Sequence, residues 1–327
     1  MRAHELRNDR KSTLRSSAVL MLTALIWGGA FVGQRASMEF IGPFLFIALR
    51  MALGAASLLL VVLLGGALFP RRPEVQTNAL RGRRFFLAGC VCGLVLFCST
   101  AFQQVGIIDV QAGKAGFLTT LYIVLVPILG IALRHKTHWN TWLAVLIAVL
   151  GLYFLCVQPG FAIEPGDLIV LVGAFGWACH ILVIDHFVRN ASQRDVLRLC
   201  ALQFVFAAVL ALLCSLLFDG FFPRGSADLQ AFLAALPSVL YVGILSTGLA
   251  FTLQAVGQQG LSPAAASLIM SLESVFAVLC GMLILHETMS LREVLGCAFM
   301  FAAVVISQLP RANRDTVAKP QKPGEPT

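Results

Sequence analysis

Long apolar runs separated by short polar segments make up almost the whole chain. They recur at about 16–38, 44–69, 85–106, 111–133 and 138–157. They recur again at about 167–187, 197–218, 236–258, 262–285 and 290–310. A hydrocarbon core about 30 Å thick takes about 20 residues of helix, and each run is near that length. None shows the apolar–polar alternation of a membrane-barrel strand. In lipid, backbone polar groups must be satisfied within the segment, which makes these runs helices. The pattern predicts an all-α membrane protein with ten transmembrane helices. Residues 1–15 precede them as a polar tail. Residues 311–327, rich in lysine and proline, read as a disordered tail. The first run follows a basic segment, as a signal peptide would. It outlasts the roughly 7–15 apolar residues of a signal, so it reads as a retained helix.

Composition agrees with this pattern. Of 327 residues, 58% are hydrophobic and 12% charged, against about 25% charged in soluble domains. That is too little charge to clothe a water-facing surface, so membrane lipid is the expected surroundings. The net charge of +8 would suit nucleic acid if the basic residues formed one face. Instead they sit in the polar segments between runs. With a cytoplasmic N-terminus, nineteen of the 24 basic residues fall on the cytoplasmic side, among them Arg2, Arg15, Arg83, Arg134, Arg189 and Arg198. Only Arg35, Arg224 and Arg292 fall opposite, and Arg50 and Lys114 lie inside spans. Cytoplasmic loops carry such an excess. Both termini are therefore expected in the cytoplasm of a bacterial inner membrane, and no nucleic-acid partner is expected. The nine cysteines all lie in apolar stretches without metal-ligand spacing, so they read as small hydrophobes and no metal is expected.

The chain repeats itself. Leu121, Val124, Gly130, His135 and Thr137 match Leu272, Val275, Gly281, His286 and Thr288 at an offset of 151. Gln103 meets Gln254 at the same offset, and Trp27 and Trp177 sit alike in the first helix of each half. The repeats are 16–157 and 167–310. Five helices is an odd number, so the second repeat enters the membrane from the opposite face. Inverted repeats are a device of secondary transporters, whose substrate site lies between them near the midplane. Duplication in a membrane protein that transports nothing is the plainer alternative.

Several short motifs resemble the drug/metabolite transporter superfamily, and together its EamA-like branch. They are Ala24-Leu25-Ile26-Trp27-Gly28-Gly29-Ala30-Phe31, Leu49-Arg50, Gly113-Lys114-Ala115-Gly116-Phe117-Leu118-Thr119, and Ser271-Leu272-Glu273-Ser274-Val275 followed by His286-Glu287. The resemblance spans nearly the whole chain and implies two five-helix repeats moving small metabolites. It leaves the substrate open. Ser274 stands where that branch often carries proline, which predicts a straighter ninth helix.

Charged residues inside a membrane are expensive and mark pathways or pairs. Glu273 lies near the midplane of the ninth run. It suits binding a proton or a cationic group, or a structural role among neighbouring helices. Arg50, with five donors and a permanent charge, suits either an anionic substrate group or bracing of the outer mouth. Its counterpart in the second repeat is Gln203. Lys114 suits the outer vestibule or a pair with Asp109. Thr119, Tyr122, Ser271, Gln103 and Gln254 add hydroxyls and amides from four helices, enough to line a solute cavity or to bond helices together. Trp27 and Trp177 suit stacking on a flat or cationic ligand, or plain packing. His180 is a second candidate for carrying protons. Pro127 predicts a kink in the fourth helix. Pro43, Pro237 and Pro263 read as helix starts.

No GxxxxGK[ST] loop is present, which argues against ATP-driven pumping, and no HExxH or GxSxG motif appears. No cofactor or catalytic residue is expected. The chain reads as a secondary transporter of a small organic metabolite, an amino acid or derivative, working as an exporter. A polytopic membrane enzyme acting on lipid or a lipid-linked substrate is the rival. It would need His135 and His138, or His286 and Glu287, which the predicted topology puts on opposite faces. A homodimer stays open.

Overall fold

A computed structural model describes residues 2–68, 82–110, 112–135, 137–157, 163–219, 226–285 and 290–309. The expected C-terminal tail and the His286-Glu287 pair lie outside them. The described residues are helical and contain no strand. In chain order the helices are α1 (Arg2–Ser37), α2 (Pro43–Leu68), α3 (Arg83–Gly106), α4 (Ala112–Thr120), α5 (Tyr122–Ala132), α6 (Trp139–Cys156) and α7 (Pro165–Val188). There follow α8 (Gln193–Phe218), α9 (Ser226–Leu240), a π-helix (Tyr241–Ala250), α10 (Phe251–Gln258), α11 (Pro263–Met270), α12 (Glu273–Leu285) and α13 (Leu291–Ser307).

Local chemistry sets the ends. Pro165 and Pro263 take the first helical positions of α7 and α11, where a missing N–H costs little. Ser192, Ser262 and Ser290 cap α8, α11 and α13 by accepting backbone N–H groups.

The polarity is inverted relative to a water-soluble protein. Arg50, Gln103, His180, Gln203, Gln254 and Glu273 are buried, whereas Leu63, Trp139, Leu146 and Leu217 are each two-thirds exposed or more. Such an arrangement is stable in hydrocarbon and not in water. Among the described residues eight helical stretches are long and apolar enough to cross a membrane, and the chain is a multi-pass membrane protein. Of the ten expected spans, the fifth and tenth correspond to α6 and α13, which at 18 and 17 residues are not among the eight. These two pack against each other through glycine: a Cβ on Gly296 would lie 2.7 Å from the Leu155 nitrogen and 2.8 Å from the Gly151 oxygen.

Two sequence expectations need correction. Pro237 lies inside α9, not at a helix start. That helix begins earlier because Leu229, Phe232 and Leu233 extend its apolar run. The i→i−5 segment from Tyr241 follows this proline closely, as expected where a ring removes one rung of the hydrogen-bond ladder. The ninth run is not straight. It breaks between Met270 and Glu273 although Ser274 is not proline, and Ser274 N donates to Ser271 O at 3.2 Å in a tightened turn. The fourth run breaks at the matching place, Leu121, where Val124 N donates to Leu121 O at 3.1 Å. Leu121 and Leu272 are 151 residues apart, the offset of the repeat.

Candidate functional site

A cavity lies beside the two breaks. Tyr122 and Glu273, each the first residue of the half-helix after its break, face one another: Tyr122 Oη donates to Glu273 Oε1 at 3.2 Å. Thr120 Oγ1 contacts the same oxygen at 3.4 Å and shares a 2.7 Å hydrogen bond with Ser274 Oγ. Glu273 is 3% exposed and has no cationic partner among the described residues. Its place in the first turn of α12 sets it at the favourable positive end of the helix dipole.

On the same cavity stands Arg50, also 3% exposed. Its Nε donates to Thr247 Oγ1 and its Nη1 to Gln34 Oε1, both at 3.0 Å. It has no carboxylate partner among the described residues. It does not brace loops. α2 carries it into the interior, where the π-helix brings Thr247 against it. Gln34 is itself fixed, its backbone oxygen accepting from Gln104 Nε2 at 3.3 Å.

Aromatic rings form another wall. The Trp177 ring stacks on Phe251 at 5.6 Å and 18°, and the Trp27 ring is tilted against Phe251 at 4.9 Å. Trp27 Nε1 donates to Ser246 O at 3.1 Å. Gln103 Nε2 donates to Thr119 Oγ1 at 3.0 Å. The arrangement offers one cation, one carboxylate and a flat apolar surface within a single enclosure.

Among the residues singled out from sequence, Trp27, Arg50, Gln103, Thr119, Tyr122, Trp177, Gln254 and Glu273 line this cavity. Lys114, Gln203, Ser271 and His180 do not. Ser271 spends its hydroxyl on Leu268 O at 2.7 Å. Gln203 and His180 bond each other at 3.1 Å behind the aromatic wall. Lys114 pairs with Asp167 at 2.6 Å, joining α4 to α7, and not with its sequence neighbour Asp109. Phe31, Gln34, Ile181, Ser246 and Phe251 also line the cavity and were not anticipated. Gln34 and Ser246 carried a weak signal, being polar in apolar runs. Among the described residues no group of three His, Cys, Asp or Glu could hold a metal ion.

A second, wider cavity lies at the other end of α5 and α7. Gly130, His135, His138 and Arg189 border it, together with Ser262 at the start of α11. Arg189 is held by Asp185 at 2.7 Å. Toward the opposite end of the molecule the Lys114–Asp167 pair sits beside a packed apolar cluster of Phe31, Ile107, Val110, Leu118 and Val170.

Comparison with known proteins agrees with the architecture. An uncharacterized transporter of Archaeoglobus fulgidus is 27% identical over 89% of this chain and 84% of its own length. The uncharacterized transporter YoaV of Bacillus subtilis is 24% identical over 88% and 94%. A protein of known crystal structure superposes with a TM-score of 0.69 over 90% of this chain and 96% of its own, at 18% identity, and so shares its fold. The model of the EamA-like transporter family matches residues 15–157 and 164–308. With both halves matched, the chain belongs to the EamA-like transporter family.

Proposed function

We propose that the protein is a secondary transporter that exports a small zwitterionic metabolite, an amino acid or close derivative, across a bacterial cytoplasmic membrane. One observation carries this reading: a buried guanidinium and a buried carboxylate line a single cavity, and no described residue neutralises either. Uncompensated buried charges cost several kcal/mol. A zwitterion brings each its counter-ion, a carboxylate to Arg50 and an ammonium to Glu273. The rings of Trp27, Trp177 and Phe251 exclude water around it.

Ten spans in two inverted repeats are part of the proposal. Tyr122 and Glu273 hold equivalent places in the repeats and touch. Residues exchanged by a two-fold axis meet only close to that axis, so their contact supports a site on it. Inverted repeats of this kind rock around a fixed central site. The basic end of the molecule, with Arg189, His135 and His138, has the wide cavity. By the positive-inside rule that end is cytoplasmic, with both termini, which favours loading from the cytoplasm. Glu273 is a better proton carrier than His180 because it lines the cavity. There a proton and an ammonium compete for one carboxylate, and that competition couples solute to proton.

The test is equilibrium binding to the purified protein, read as thermal stabilisation, by L-amino acids, their methyl esters and their N-acetyl derivatives. The zwitterions should stabilise, whereas the esters, lacking the carboxylate, and the acetyl derivatives, lacking the ammonium, should not. Equal stabilisation by all three forms would refute the reading.

A further inference from the structure

Two residue pairs hold matching positions in the two halves, Trp27 with Trp177 and Gln103 with Gln254, and all four line the cavity. In the first half both are used internally. Trp27 Nε1 donates to Ser246 O, and Gln103 Nε2 donates to Thr119 Oγ1. In the second half neither is complete: Trp177 Nε1 and Gln254 Oε1 are buried without a hydrogen-bond partner. Ser246 Oγ, which belongs to the same cavity lining, is also buried and unpartnered. The three residues are 8%, 2% and 1% exposed.

Buried polar atoms are nearly always paired, and each exception asks for an explanation. Three exceptions on one cavity, all in the second half, mark a place where something else supplies the partners. Trp177 cannot easily swing away, because Phe251 stacks on its face and His180 meets it edge-on at 5.9 Å. The available atoms are one N–H donor, one amide oxygen and one hydroxyl, with no net charge.

We infer that Trp177, Gln254 and Ser246 read the side chain of the solute, and that this side chain ends in a neutral group that both donates and accepts a hydrogen bond, a hydroxyl or a carboxamide. The inference rests on the zwitterion reading and narrows it. Arg50 and Glu273 take the groups common to all amino acids, and this wall takes what distinguishes them. A purely aliphatic side chain leaves all three atoms desolvated and unpaired. A charged one finds no counter-ion among the three.

The test uses the full-length protein in liposomes and two isosteric pairs, L-threonine against L-valine and L-asparagine against L-leucine. Each pair differs in polarity at nearly constant shape. Sites built to hydrogen-bond a substrate group discriminate strongly against the analogue lacking it. Uptake efficiency of the polar member is expected to exceed that of its partner about tenfold or more. Trp177→Phe and Gln254→Leu should each bring the ratio toward one by lowering threonine and asparagine uptake more than valine and leucine uptake, a selective change that a merely damaged fold does not produce. If a variant fails to insert, the wild-type ratio decides alone. A wild-type ratio near one in both pairs overturns the inference, as a resident water satisfying the same atoms would produce. A high ratio unchanged in both variants overturns it too. Uptake of no member of either pair overturns the zwitterion reading, and this inference with it.

Discussion

Arg50 makes the sharpest claim at the residue scale. Its guanidinium is oriented by Thr247 and Gln34, so its remaining donors are presented rather than searched for. Hydrogen bonds to charged groups contribute about 1.5–3 kcal/mol, and a lysine cannot reproduce the planar fork. Arg50→Lys should weaken solute binding about ten- to a hundredfold, measured by titrating thermal stabilisation against solute. Glu273→Gln should keep the contact with Tyr122 but lose the charge. If a proton and the solute's ammonium compete for Glu273 as proposed, acidifying the loading side should lower wild-type flux. In the variant, flux should be lower and flat with pH, as read by uptake across a pH series. Both residues were legible in the sequence because a charge inside an apolar run is costly. Phe31, Ile181 and Phe251 were not, since nothing in an apolar run tells a cavity-facing ring from a lipid-facing one. Lys114 was misassigned because its neighbour Asp109 is close in sequence, whereas its partner Asp167 is brought in by the packing of α4 on α7.

Among elements, the two half-helix breaks and the buried ion pair matter most. Asp167 is fully buried, and removing one member of a buried pair leaves the other uncompensated. Lys114→Met should therefore destabilise the protein by about 3–5 kcal/mol. Adding Asp167→Asn should restore much of that, because the charge goes too. Unfolding of the two single variants and the double variant in detergent measures the coupling. Gly28 fixes the spacing of α1 and α12: a Cβ there would meet the Ala277 nitrogen and Phe276 Cβ at 2.7 Å. Gly28→Val should push these helices apart next to Glu273 and depress both stability and uptake. The apolar runs forecast most helices to within a few residues. They did not forecast the π-helix or the break at Ser271–Leu272, since both follow from hydrogen-bond register and not from polarity.

At the scale of the whole molecule, the repeat of 151 residues was readable in the sequence, and eight of the residues singled out there line one cavity. The unequal use of matching residues by the two halves was not readable there, because identical side chains carry no record of whether their partners are internal. The proposed topology puts the segment joining the halves outside. Glu164→Cys, in a background without the native cysteines, should react with an impermeant maleimide added to intact cells. Protection of that cysteine in intact cells, with reaction only after lysis, would reverse the orientation. The most direct measurement of the central claim is exchange through the cavity. Liposomes holding the purified protein are loaded with unlabelled L-amino acids and placed in a radiolabelled mixture of the same. The wild type should accumulate label above protein-free liposomes, and Arg50→Gln, inserted at equal density, should not. Accumulation by Arg50→Gln at the wild-type rate would contradict the account.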